Sequence, residues 1–110
     1  MPKWINWFII TIFLGYALAV SPVAAFAQGQ QIFNDRCAMC HGQDGKGNGP
    51  AAASFSPAPA DFTSPGFWQG NVGQKITNTI ENGHGPMPAI SLSSNQIKAV
   101  IAYITKSFKP

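Results

Sequence analysis

Cys37 and Cys40 are the two cysteines of this chain, and His41 follows the second one directly. In Cys37-Ala38-Met39-Cys40-His41 one helical turn brings both thiols to the same side, with an imidazole beside them. A pattern of this kind restricts a small fold severely, because three reactive groups on one turn need something to bind. C-x-x-C-H is an attachment signature of c-type haem: each thiol forms a thioether to one vinyl group, and the adjacent imidazole becomes the proximal iron ligand. Other chemistries use the same pair. A thioredoxin-like redox disulfide wants a βαβ pattern around the cysteines, and none is present. A zinc site wants four ligands; with no second cysteine pair, His41 and His84 would have to complete a mixed set. Zinc and a pair of buried thiols stay open as rivals at this point.

At 110 residues the chain is too short to divide into two cores, so it forms one domain. Its net charge is +3, yet only 10% of its residues are charged and Lys and Arg nowhere form a run. That excludes a nucleic-acid surface. The N-terminal stretch reads as an export segment outside the fold. Lys3 gives a positive start, Trp4 to Val20 is almost unbroken apolar sequence, and Ala25-Phe26-Ala27 is an A-x-A cleavage site. Cleavage there makes residues 1–27 a signal peptide and residues 28–110 the domain, beginning at Gln28. The competing reading keeps residues 4–20 as an uncleaved membrane anchor, because the run reaches the lower limit for spanning a bilayer and Trp4 and Trp7 would suit an interface. The remaining chain has few charges and much Gly and Pro, near the size where an apolar core alone is marginal. A buried cofactor tied by two covalent bonds would supply the missing hydrophobic mass.

Along the domain, Gly29 to Cys40 reads as a helix through the spacing of Ile32, Phe33 and Cys37. Gly42 to Pro50 is a glycine-rich loop. No strand precedes it and no G-K-[ST] follows, so it is not a phosphate cradle; it predicts close backbone approach to a flat ligand. Pro57, Pro59 and Pro65 keep residues 51–66 irregular. Ser64-Pro65 predicts the start of a short helix through Phe67 and Trp68. Val72, Ile76 and Ile80 predict an amphipathic helix ended by Asn82-Gly83. The last helix is signalled by a capping box, Ser93 with Gln96, by Leu92 and Ile97 at staple positions, and by an apolar face of Ile97, Val100, Ile101, Ile104 and Phe108. Lys106 and Lys109 suit its final turn. No strand pattern appears. The fold class is all-α, with about four short helices and long loops.

Three blocks in order now resemble the class I, or monohaem, c-type cytochromes over nearly the whole domain: Gly29, Phe33, Cys37, Cys40 and His41; Asn82 to Pro88; and Val100 to Ile104. The resemblance implies a small cytochrome c-like fold wrapped around one haem c, covalent through Cys37 and Cys40. It also implies that the first and last helices cross where Gly29 and Phe33 meet Val100 and Tyr103. On it, His41 and Met87 are the two iron ligands, with flanking Pro86 and Pro88 stiffening the loop that presents the Met87 thioether. Met39 lies inside the attachment motif and cannot take the distal position; His84, three residues before Met87, is the rival ligand and would lower the potential. Pro50 matches the family proline whose carbonyl accepts a hydrogen bond from the proximal imidazole, and Trp68 is a candidate donor from its indole N–H to a haem propionate.

The function implied is single-electron transfer between exported or membrane redox complexes, as in a respiratory chain, by a periplasmic or otherwise exported carrier that is not an enzyme. Donor and acceptor proteins are the expected partners, without nucleic acid, and with membrane association if residues 4–20 persist. A fixed subunit of a larger oxidoreductase is the alternative, separated by whether the protein begins at Gln28 or Met1. A ligand sensor or peroxidase-like site would need an open sixth position.

Overall fold

The computed structural model describes residues 21–110. The apolar run from Trp4 to Val20, read as signal or anchor, lies outside them. Among the described residues the regular structure is four α-helices and two 3₁₀ turns: α1 (Pro22–Arg36), α2 (Ala38–His41), 3₁₀ turns at Ala52–Ser54 and Pro65–Trp68, α3 (Val72–Asn82) and α4 (Ser94–Phe108). Among the described residues there is no strand, only an isolated bridge between His84 and Met87. The class is all-α, as the sequence predicts. No helix of the described residues is long and apolar enough to cross a membrane.

α1 differs from the expected Gly29-to-Cys40 helix at both ends. It starts at Pro22, because Ser21 supplies a cap: its Oγ accepts the N–H of Ala24 at 3.1 Å, and Pro22 is pre-set for the first helical position. The Ala25-Phe26-Ala27 site is therefore helical here. At the other end Cys37 leaves helical geometry (φ −121°, ψ −39°) while its N–H still reaches the Phe33 carbonyl. The chain then restarts as the single turn α2, which stops at Gly42 (φ +79°). The expected single helix is thus two, broken at the first cysteine.

The later helices follow their signals closely. Asn71 caps α3 by accepting the Gln74 N–H at 3.2 Å, Val72, Ile76 and Ile80 are its buried residues, and Gly83 (φ +74°) ends it. Ser93 and Gln96 cap α4 reciprocally: Ser93 Oγ accepts from the Gln96 N–H at 3.2 Å, and Gln96 Oε1 from the Ser93 N–H at 2.8 Å. Ser64-Pro65 does open the turn at Pro65–Trp68, although the Ser64 hydroxyl makes no capping bond.

α1 packs chiefly on α4, and their closest approach is at Gly29. A Cβ added there would stand 2.1 Å from the Ala99 carbonyl oxygen and 3.0 Å from Tyr103 Cβ. This contact decides which side of α4 turns inward. Ala99, Val100, Tyr103 and Ile104 are buried, whereas Ile101 is only half-buried. Periodicity alone places Tyr103 at the flank of the apolar face; the crossing brings it inside. Phe33, fully buried, then lies at the centre of an aromatic cluster, 5.4 Å from Tyr103, 5.2 Å from Phe108 and 6.4 Å from Phe62 by ring centroids. Phe62 is the one buried large residue that the irregular middle of the chain contributes.

Gly29→Ala puts two effects in opposition. Alanine favours helix over glycine by about 1 kcal/mol, but overpacking against backbone costs about 1–3 kcal/mol, and a carbonyl cannot swing aside as a side chain can. We expect the clash to win: the variant should unfold at a lower temperature than wild type by circular dichroism. An equal or higher midpoint would show that the crossing is looser than described.

Candidate functional site

His41 ends α2 and is held from two directions. Its Nδ1 lies 3.2 Å from the carbonyl oxygen of Ala60, and its ring stacks on Phe62 with centroids 4.6 Å apart and planes 18° from parallel. A carbonyl can only accept, so Nδ1 carries the proton and Nε2 keeps its lone pair. Burial pushes the His41 pKa below its usual value, against the weaker opposing effect of the Ala60 bond. The imidazole is therefore neutral at neutral pH, the state that binds a metal. Pro50, the expected acceptor, is exposed and makes no such bond; Ala60 holds the ring instead.

The glycine-rich loop explains why Ala60 arrives there. Gly47 donates its N–H to the His41 carbonyl at 2.7 Å, and a Cβ on it would stand 2.3 Å from the Pro59 carbonyl oxygen. Gly45 accepts from the Phe62 N–H at 2.7 Å and lies against the Phe108 ring. Both glycines have positive φ, at +76° and +72°. The expectation that this loop approaches a flat ligand is thus corrected: its glycines approach other backbone and an aromatic ring, and so lay residues 59–62 across His41.

Cys37, Cys40 and His41 line one cavity of about 330 Å³. Its walls are apolar: Ile76 and Ile80 from α3, Val100 and Ile104 from α4, and Phe62 and Phe67 from the connecting segment. Met87 reaches it from the loop after α3, together with His84, Pro86 and Pro88. That loop is closed tightly, since the His84 N–H donates to the Met87 carbonyl at 2.9 Å and the Met87 N–H to the His84 carbonyl at 3.0 Å. The Ile90 N–H, bonded to the Ile80 carbonyl at 2.8 Å, fastens the loop to α3. Neither cysteine is in a disulfide, and burial pushes the Cys37 thiol up to about 11. A thiol so raised is not poised for disulfide exchange at neutral pH. Among the described residues no group of three or more His, Cys, Asp and Glu is arranged to hold a metal ion, so the zinc reading has no ligand set.

The donor set fits a haem. A largely apolar cleft of ordinary cofactor size gathers two thiols, the His41 imidazole and one methionine sulfur, with Lys75 the one permanently charged residue in its wall. Trp68 does not belong to it. Its indole N–H donates to the Phe62 carbonyl at 2.7 Å, and the residue is absent from the cavity wall, so the expected propionate role is corrected to a structural one. Ala60 and Phe62 were not foreseen as parts of the site. The one local hint is the Asp61 turn, where Asp61 Oδ1 accepts the Thr63 N–H at 2.8 Å and its hydroxyl at 2.6 Å.

Trp68→Phe keeps the ring and removes the donor, leaving the Phe62 carbonyl without its partner. A loss of about 1–2 kcal/mol in stability follows, with no change in reduction potential, measured by denaturant titration and spectroelectrochemistry. A shifted potential at unchanged stability would return Trp68 to the cofactor.

Comparison with known proteins places this geometry. The family described as cytochrome c oxidase, cbb3-type, subunit III matches residues 24–104. The cbb3-type cytochrome c oxidase subunit CcoP of Rhodobacter capsulatus is 39% identical over 87 residues, covering 69% of this chain and 27% of that protein. Cytochrome c6 of Tetradesmus obliquus is 37% identical over 83 residues, covering 74% of this chain and 89% of that protein. Chloroplastic cytochrome c6 of Chlamydomonas reinhardtii is 33% identical over 98 residues, covering 87% and 64%. The chain thus spans about a quarter of the length of CcoP, and most of the length of the algal cytochrome from Tetradesmus. A match over this span, carried by a C-x-x-C-H turn on the wall of an apolar cavity, means that the chain belongs to the cbb3-type cytochrome c oxidase subunit III family of c-type cytochromes.

Proposed function

We propose that the chain is a single-electron carrier that holds one haem c through thioethers at Cys37 and Cys40, with His41 and Met87 as the axial ligands. The observation that carries this is the convergence of those four side chains on one apolar cavity. Haem supplies, when bound, an iron centre that takes up and releases one electron. Everything else falls to the polypeptide. Cys37 and Cys40 fix the cofactor at two points. Ala60 and Phe62 hold the His41 ring in one tautomer and orientation, which is the kind of support that sets ligand basicity. The turn from His84 to Met87 would hold the second iron ligand in place. Methionine as the partner of histidine raises the potential relative to a pair of histidines. His84 lines the same cavity, and its backbone N–H and C=O close the turn that presents Met87.

The cytochrome c6 relatives support a free-standing carrier, and the CcoP relative supports a fixed electron-transfer subunit of an oxidase. In both readings the chain passes electrons between protein partners, exported from the cytoplasm or held at a membrane, and performs no catalysis of its own. The carrier reading has the better coverage of its relative, 89% for the Tetradesmus protein.

Met87→Ala tests the ligand assignment. Wild-type ferric protein should be low-spin, with the weak long-wavelength band of sulfur-to-iron charge transfer, and its ferrous form should not bind carbon monoxide. The variant should lose the band and bind carbon monoxide. A wild type that lacks the band while staying low-spin would move the assignment to His84, and one that binds carbon monoxide would replace the carrier reading with a sensor or enzyme.

A further inference from the structure

The residues assigned so far meet the iron, the two vinyl groups and the apolar ring of a haem, but not its two carboxylates. A carboxylate at the edge of an apolar cavity needs a cation or several N–H donors to offset its lost hydration. The candidate donors on this chain are few. The Trp68 indole is committed to the Phe62 carbonyl. Thr79 lies on the wall, but its hydroxyl donates to the Lys75 carbonyl at 2.9 Å. Among the described residues Lys75 is the one wall residue with a permanent charge.

Lys75 is also already held in place. Its Nζ donates to the Phe67 carbonyl at 3.2 Å and sits 4.2 Å from the centroid of the Phe67 ring, itself part of the wall. One of three ammonium donors is used and two remain. A lysine restrained in this way loses little further rotamer freedom on pairing. It is the fourth residue of α3, after Val72, Gly73 and Gln74.

We infer that Lys75 is the counter-charge to a haem propionate, fixing the carboxylate edge of the cofactor beside α3 and holding its reduction potential up. This rests on the haem reading above. The sign follows from charge: ferric haem carries one more positive charge than ferrous, so a cation nearby, or one that masks a propionate, disfavours the ferric state.

The test uses full-length protein exported with its haem, in wild-type, Lys75→Gln, Lys75→Arg and Lys98→Gln forms; Lys98 is an exposed α4 residue away from the cavity wall. Midpoint potentials are measured by spectroelectrochemistry, and intact mass reports covalent haem. The expected result is a lowered potential in Lys75→Gln, recovery toward wild type in Lys75→Arg, and no shift in Lys98→Gln, with unchanged visible spectra. An unmoved potential in Lys75→Gln, an equal fall in Lys98→Gln, or an equal fall in Lys75→Arg would overturn the inference while leaving the haem reading intact. A mass without haem in the wild type would overturn both.

Discussion

The Ala99 carbonyl rests where a side chain at position 29 would have to stand, and the rest of the structure is built outward from that contact. Because α1 can approach α4 so closely, Phe33 reaches Val100 and Tyr103 and is sealed from water. Phe33 in turn supports Phe62 and Phe108, and Phe62 supplies the surface on which the His41 ring stacks. A helix crossing on one side of the protein thus fixes the orientation of an imidazole in the cavity. The link is a chain of packed rings with well-defined geometry, and dispersion contacts of this density tolerate little displacement.

Two unlike kinds of glycine serve this arrangement. Gly29 is needed for space within a helix. Gly45 and Gly47 are needed for conformation as well, since their positive φ values turn the loop so that residues 59–62 fold back over α2. None of these glycines lines the cavity itself.

What was legible in the sequence was what local chemistry determines. The C-x-x-C-H turn, the Ser93–Gln96 box and the Val72, Ile76, Ile80 stripe all depend on spacings within a helix, and each is found where that spacing puts it. The Gly29 crossing was legible through resemblance, and so was Met87 as a candidate ligand, which the cavity now gathers with the cysteines. Less legible was anything that depends on non-local closure. Pro50 was expected to hold His41, but the acceptor is Ala60, nineteen residues away along a segment with no periodicity to predict its path. Trp68 was a candidate donor to a haem propionate, but its indole N–H goes to the Phe62 carbonyl, whose position no local pattern predicts. Lys75 carries no motif at all and becomes noticeable only when the wall around it proves uncharged.

The cavity also sets a scale for the whole fold. The net stability of a domain is about 5–15 kcal/mol. A ligand that fills an apolar cleft of about 330 Å³ therefore matters on that scale, because the apolar surface it covers is removed from water. The most direct measurement is cooperative unfolding of the same chain with and without its haem, followed by circular dichroism on protein exported through a haem-attaching pathway and on protein made without one. A sharp transition for the haem-bearing protein and a broad, non-cooperative loss of helix for the other is the predicted result. A haem-free chain that unfolds cooperatively near the same temperature would contradict it, and would mean that α1 and α4 hold the domain together without the cofactor.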